Sequence, residues 1–194
     1  MQKTIENLTK AFIGESQARN RYTFYASTAK KEGYEQVAEI FLITADNENE
    51  HAEWFLKMLR EAVRRTGKDL DLIKVPAEAP ITWGNTEENI AAAIGGEHME
   101  NSVLYPAFAE QAAKDGFHEF AVRIQAIAKA ELHHEARYHA IQHNFEDGTV
   151  FKKPKRVQWM CRKCGYIHIG TEPPEKCPSC DHDRSYYQVR SETY

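Results

Sequence analysis

The chain has 194 residues, 42% of them apolar and 28% charged, with 10 Gly and 7 Pro; this globular composition excludes collagen-like, low-complexity and wholly disordered chains. Twenty-five Lys+Arg against 29 Asp+Glu leave a net charge of -4, and no block of like charges suggests a nucleic-acid arm or a polybasic membrane anchor. The N-terminal stretch MQKTIENLTKAFIGES has no apolar leader core and no segment approaches the roughly 18 apolar residues of a membrane span, so a cytoplasmic protein without nucleic-acid or membrane partners is expected.

In chain order the pattern is helical. Ile5, Leu8, Phe12, Glu15, Ala18 and Tyr22 recur at spacings of three and four, the period of a helix face packed in a bundle, and predict a first helix running to about Gly33. A second stripe, Val37, Phe41, Thr44, Glu48, His51, Phe55, Met58 and Ala62, predicts a helix ending near Gly67. Lys68 to Thr86, with Pro76, Pro80 and Gly84, has no sustained period and is expected to be a long connection. Ile90, Ala93, Glu97, Glu100 and Leu104 mark a third helix up to Gly116, with a kink expected at Pro106. Phe120, Ile124, Ile127, Glu131, His134, Tyr138, Ile141 and Phe145 mark a fourth, ending before Gly148. Two short turns and one long connection define hairpin, crossover, hairpin: an all-α four-helix bundle with a single crossover.

The basic, proline-containing segment Thr149 to Gln158 reads as a linker. Beyond it lie all four cysteines, Cys161, Cys164, Cys177 and Cys180, spaced Cys-x2-Cys-x12-Cys-x2-Cys. Each pair fits one tight turn, and together they present four thiolates to a tetrahedral metal. Two disulfides are the weaker reading, because the first 160 residues carry no cysteine and no export signal is present. Trp159, Tyr166, Tyr186 and Tyr187 are expected to pack a small core of short strands around the site. Spacing alone does not choose between zinc and iron. The expected division is 1–148 for the bundle, 149–158 for the linker and 159–194 for the cysteine module.

Glu15, Glu48, His51, Glu97, Glu100, Glu131 and His134 occupy stripe positions otherwise held by apolar residues, although glutamate is almost never buried without a partner. Glu48/His51 and Glu131/His134 are both Glu-x-x-His, with the two side chains on one helix face a turn apart, whereas Glu50 and His133 point elsewhere, toward solvent. Each hairpin places its two acids at about the same height, counted from its glycine turn at ~1.5 Å per residue. The hairpins read as an internal repeat, Gly14-Glu15 matching Gly96-Glu97, with Glu100 as a seventh, asymmetric member where the first hairpin has Ala18. Five carboxylates need compensating cations, and two divalent metals supply about the required charge. Oxygen-rich ligation with two imidazoles suits Fe or Mn, as in ferritin-like carboxylate bundles. A solvated or salt-bridged seam with Arg19 and Arg21 would require the apolar stripe to break on all four helices at one level.

These residues carry a likeness. Gly14-Glu15-Ser-Gln-Ala-Arg-Asn-Arg-Tyr22, the two Glu-x-x-His pairs, Gly96-Glu97-x-x-Glu100 and the four-cysteine knuckle resemble the rubrerythrin family over essentially the whole chain. The resemblance implies a ferritin-like di-iron domain, with iron on Glu15, Glu48, His51, Glu97, Glu100, Glu131 and His134, followed by a rubredoxin-like domain with one iron on Cys161, Cys164, Cys177 and Cys180. It implies a non-haem peroxidase that reduces hydrogen peroxide to water in oxidative-stress defence. Electrons would come from an NAD(P)H-linked reductase or rubredoxin through the cysteine iron, in a head-to-tail homodimer. It further implies that Glu48 and Glu131 bridge the irons, that Glu15, Glu97 and His134 are terminal, and that one iron exchanges Glu100 for His51 on reduction. Tyr22 and Tyr105 map to ligand-orienting tyrosines, although read on their own they are plain core. His98, His118, His139, His143, His168 and His182 have no matched partner and read as ordinary histidines, and the four Met as scattered core fillers. Two other readings compete: a ferroxidase or oxidase using oxygen at the di-iron site, and a zinc ribbon on a docking scaffold.

Overall fold

The computed structural model describes residues 1–67 and 70–192. Residues 68 and 69 of the expected connection, and 193 and 194 of the expected cysteine module, lie outside the described residues. Helices α1 (Gln2–Lys31) and α2 (Glu35–Arg65) form the first hairpin. The second consists of α3 (Thr86–Met99), a π-helical turn (Glu100–Leu104), α4 (Tyr105–Lys114) and α5 (His118–Glu146). Both hairpin turns are closed alike. Gly33 and Gly116 each adopt φ of +85°, a left-handed conformation open to glycine at no steric cost. The following amides, Tyr34 and Phe117, reach back 2.8 Å to the carbonyls of Ala29 and Ala112.

The expected bend at Pro106 takes the form of the π turn just before it. Pro106 itself sits in the first turn of α4, where a missing N–H costs nothing. The repeat explains the turn. Leu8 and Ile90, Ala11 and Ala93, and Glu15 and Glu97 are all 82 residues apart, whereas Tyr22 and Tyr105, Gly33 and Gly116, Glu48 and Glu131, and His51 and His134 are 83 apart. The second hairpin therefore carries one extra residue between Glu97 and Tyr105, and the π turn absorbs it without rotating the helix beyond out of phase.

The apolar core is split in two along the bundle axis. One half gathers Ile5, Leu8, Phe55, Met58, Tyr105, Phe117, Ile124 and Ile127; the other gathers Tyr22, Tyr25, Val37, Phe41, Ile90 and Tyr138. Between them, on every long helix, falls one of the buried acids Glu15, Glu48, Glu97 and Glu131. The crossover runs along the outside of α1 and α3 as an irregular strap. It is pinned by the Tyr25 hydroxyl donating to the Thr82 carbonyl (2.7 Å) and by Trp83 stacked on Phe24 (5.4 Å). It ends one residue earlier than expected, at Asn85, whose side chain forms a capping box with Glu88 at the start of α3. Thr86, expected in the connection, is the first residue of α3.

After α5, strands β1 (Val157–Cys161), β2 (Ile167–Gly170) and β3 (Tyr187–Val189) form an antiparallel sheet in the order β2-β1-β3. Trp159 and Tyr187 are buried against Cys161 and Cys177, with Tyr186 partly buried beside them. Tyr166 departs from expectation and lies on the surface, because at the knuckle its backbone carbonyl turns inward to accept the Cys161 amide (2.9 Å). The module rests on the Gly33 end of the bundle. There Arg162 pairs with Glu39 at 2.5 Å, and Tyr34 packs between Phe145 and Phe151. Among the described residues no helix is long and apolar enough to cross a membrane.

Candidate metal centres

The four acids of the middle layer and the two imidazoles converge on one point between the hairpins. Two groups of ligand atoms result, Glu15, Glu48, His51 and Glu131 on one side and Glu48, Glu97, Glu131 and His134 on the other, each within 4.8 Å of one another. Glu48 and Glu131 belong to both groups. His51 Nδ1 lies 2.8 Å from Glu131 Oε1 and 3.0 Å from Glu48 Oε2. His134 Nδ1 lies 2.9 Å from Glu131 Oε2, 3.2 Å from Glu48 Oε1 and 3.4 Å from Glu97 Oε2. Such separations are the edges of a coordination polyhedron with ligand bonds of about 2.1 Å. Several of these atoms are buried without a hydrogen bond, namely Glu15 Oε2, Glu48 Oε1, Glu97 Oε2, both Glu131 oxygens and His134 Nδ1. Buried polar atoms that crowd together yet satisfy no donor are arranged around a common third centre.

Electrostatics agrees with the geometry. Burial, reinforced by the Glu48, Glu100 and Glu131 charges, holds the Glu15 carboxyl well above the usual range, and burial with the Glu97 charge does the same to Glu100. Burial raises Glu97 to about 7. Against the same burial, the adjoining His134 and His51 imidazoles pull Glu48 down to about 2. The imidazoles are pushed the other way: despite burial, the adjoining Glu131 and Glu48 carboxylates raise His51 to about 9 and His134 to about 12. The pocket calls for positive charge, which two divalent cations supply in full. The residues fit a carboxylate-rich dinuclear metal site.

Tyr22 and Tyr105 are both buried core and polar partners. The Tyr22 hydroxyl donates to Glu97 Oε1 at 2.5 Å, and the Tyr105 hydroxyl donates to Glu15 Oε1. Each reaches across from the opposite hairpin, so the two bonds repeat the internal symmetry. Glu50 and His133 face solvent, as expected. Glu100 belongs to neither ligand group. From the π turn it lies 4.0 Å from where a Cβ on Gly14 would stand and faces a cavity of about 440 Å³ beneath the crossover strap.

Two supporting residues escape the sequence reading. The Asn101 amide donates to the Glu97 carbonyl (2.6 Å) and to Glu135 Oε2 (2.7 Å), tying the π turn to α5. Glu135 is also 3.0 Å from His98 Nδ1. The available sign was Asn101 itself, a poor helix former placed inside a helical pattern.

In the cysteine module the two knuckles are near copies. The Cys161 and Cys177 amides donate to the carbonyls five residues on, Tyr166 and His182, while the Gly165 and Asp181 amides return to the Cys161 and Cys177 carbonyls (2.8 Å each). Gly165 and Asp181 take positive φ, +79° and +59°. The Cys161–Cys180 and Cys164–Cys177 sulfur pairs stand 3.8 and 3.6 Å apart, close to the ~3.8 Å edge of a tetrahedron with ~2.3 Å metal–sulfur bonds. The thiolates fit a single tetrahedral metal.

A ferritin-like bundle with a dinuclear carboxylate pocket, joined to a four-thiolate knuckle, defines a two-module non-haem iron protein. Residues 6–142 match the rubrerythrin family and residues 159–188 match the rubrerythrin rubredoxin-like domain. The chain belongs to the rubrerythrin family, whose members are oxidoreductases. It carries that family's di-iron and rubredoxin-like iron sites. It is 48% identical to rubrerythrin-1 of Clostridium acetobutylicum, over 99% of this chain and 96% of that protein. It is 40% identical to the rubrerythrin of Nitratidesulfovibrio vulgaris, over 96% and 94%. Among solved structures, fully reduced, all-ferrous nigerythrin covers 96% of this chain and 86% of its own at 31% identity and a TM-score of 0.62. A bacterioferritin from Desulfovibrio desulfuricans, at 20% identity and a TM-score of 0.65 over 75% of this chain and 81% of its own, shares the fold.

Proposed function

We propose that the protein is a cytoplasmic peroxidase that reduces hydrogen peroxide to water in oxidative-stress defence, with electrons relayed through the four-cysteine iron to the di-iron site. The observation that carries this reading is the position of Glu100. Two complete ligand groups exist without it, and it stands at the edge of a cavity next to them. A storage site has no use for a spare carboxylate or for an appended electron-transfer module.

When bound, the two irons supply the two electrons that a peroxide O–O bond takes up on cleavage. The chain's own residues set the conditions. Glu48 and Glu131, common to both groups, would hold both metals, with Glu15 and His51 completing one side and Glu97 and His134 the other. Tyr22 and Tyr105 fix the terminal carboxylates by their second oxygens. The two apolar half-cores exclude water above and below the pocket. Glu100 would be the carboxylate available to take the place of His51 at an oxidised metal, since a harder, more highly charged ion favours carboxylate over neutral imidazole.

Cys164 is exposed and Cys180 half-buried, so electrons from a reductase or rubredoxin enter at that edge. The module's foothold at Glu39 lies nine residues before Glu48, about 14 Å along α2. The likeness to rubrerythrins supports a head-to-tail homodimer, in which the partner's cysteine iron approaches this pocket. The Glu100→Ala variant tests the reading: it keeps the fold and the red ferric-thiolate colour and lowers peroxide turnover at least tenfold. Unchanged turnover would remove Glu100 from the reaction.

A further inference from the structure

The cavity beneath the crossover strap is far larger than hydrogen peroxide requires. At about 440 Å³ it equals roughly fifteen waters at ~30 Å³ each, whereas hydrogen peroxide fills the space of about two. The volume falls in the range of pockets that hold small organic ligands, roughly 300–1,000 Å³. Glu100 and Tyr105 line it, with Ile13, Ala92 and Phe108 among its apolar walls and Lys10, Arg21 and Glu78 among its charged ones. Two glycines line it. Gly95 and Gly96 are consecutive in the interior of α3, where glycine is a poorer helix former than Ala; Gly95 is exposed and a Cβ on it would meet nothing within 4 Å, so a side chain there projects into the opening of the cavity.

We propose that this cavity seats the organic group of a hydroperoxide ROOH, with R apolar and branched or aromatic, so that the protein also reduces organic hydroperoxides. The inference rests on the peroxidase reading above and extends its substrate class. The reaction is balanced by the same supply: ROOH takes two electrons from the reduced di-iron site and two protons from solvent, the O–O bond breaks, one oxygen leaves as ROH and the other as water. The peroxide end lies toward Glu100 and the R group lies under the strap, against Ile13, Ala92 and Phe108.

The test uses iron-loaded full-length protein, with cumene hydroperoxide and hydrogen peroxide as substrates and cumyl alcohol, which cannot oxidise the site, as a binding probe in calorimetry. The variants are Gly95→Leu and, as an independent filling, Ala92→Leu. The expected result is cumyl alcohol binding to the wild-type protein, weakened at least tenfold by either variant. Correspondingly, kcat/KM for cumene hydroperoxide falls at least tenfold while that for hydrogen peroxide stays within twofold. Absence of cumyl alcohol binding, or equal slowing of both substrates, would overturn the proposal. If the wild-type protein reduces neither peroxide, the peroxidase reading itself fails, and the binding arm then judges the cavity alone.

Discussion

Two tyrosine hydroxyls decide how the metal pocket is held. Tyr105 spans from the second hairpin to Glu15 on the first, and Tyr22 makes the reverse reach to Glu97; each bond fixes one carboxylate oxygen and leaves the other free. A hydrogen bond to a charged, buried group is worth about 1.5–3 kcal/mol. Tyr105→Phe is therefore expected to lower the unfolding free energy of the iron-loaded protein by about 2 kcal/mol, measured by denaturant titration. A loss below about 0.5 kcal/mol would mean that the hydroxyl is idle. The acids and imidazoles themselves are legible in the sequence because each interrupts an apolar stripe, as Glu48 and His51 do between Phe41 and Phe55. The tyrosines are marked only by the family resemblance, since in the helical pattern a buried ring is the same symbol whether or not its hydroxyl finds a carboxylate. Asn101 and Glu135 were hidden for another reason: their partners lie on a neighbouring helix, which periodicity along one helix does not report.

The π turn between α3 and α4 is the element that breaks the repeat. It places Glu100 at the cavity, while the matching position in α1, Ala18, is buried in the core. Deleting Ser102 together with Glu100→Ala gives the third helix the spacing of the first. This double change is expected to keep helix content by circular dichroism and a thermal midpoint no lower than that of Glu100→Ala alone. Unfolding on deletion would show that the extra residue is not simply absorbed by the turn. The register change from 82 to 83 residues was present in the sequence, but it marks only an insertion, and a loop, kink or π turn accommodates one equally well. At the end of α4, Asp115 accepts from the Thr4 hydroxyl at 2.6 Å and pairs with the Met1 amino group, clamping the start of α1. The amino group and Thr4 hold the Asp115 carboxyl down to about 2. A carboxylate depressed on folding stabilises the protein fully above its ordinary value, near 3.8, and loses that contribution as the pH falls through about 2. Asp115→Asn is expected to cost about 1 kcal/mol at pH 7. The gap from wild type should narrow from pH 4 downward and close near pH 2. A gap independent of pH would exclude the ionic clamp.

Across the whole molecule, two metal sites with different ligands share one chain. The carboxylate pocket lies in mid-bundle between two apolar half-cores, and the thiolate knuckle rests at the Gly33 end against Glu39 and Tyr34. The bundle and the knuckle were readable separately, from helical period and cysteine spacing. Their mutual placement was not, because it depends on contacts such as Arg162 with Glu39 that join residues far apart in sequence. The cavity beneath the strap was equally hidden, since Pro76 and Pro80 announce only that no helix forms there. On the proposed function, the bundle takes electrons from the knuckle and passes them to peroxide. The most direct measurement is anaerobic stopped-flow absorbance of the fully reduced, iron-loaded protein, mixed in parallel with stoichiometric hydrogen peroxide and with oxygen. Both iron centres should be reoxidised by peroxide at least tenfold faster than by oxygen. Faster reoxidation by oxygen would contradict the account and identify an oxidase or ferroxidase in its place.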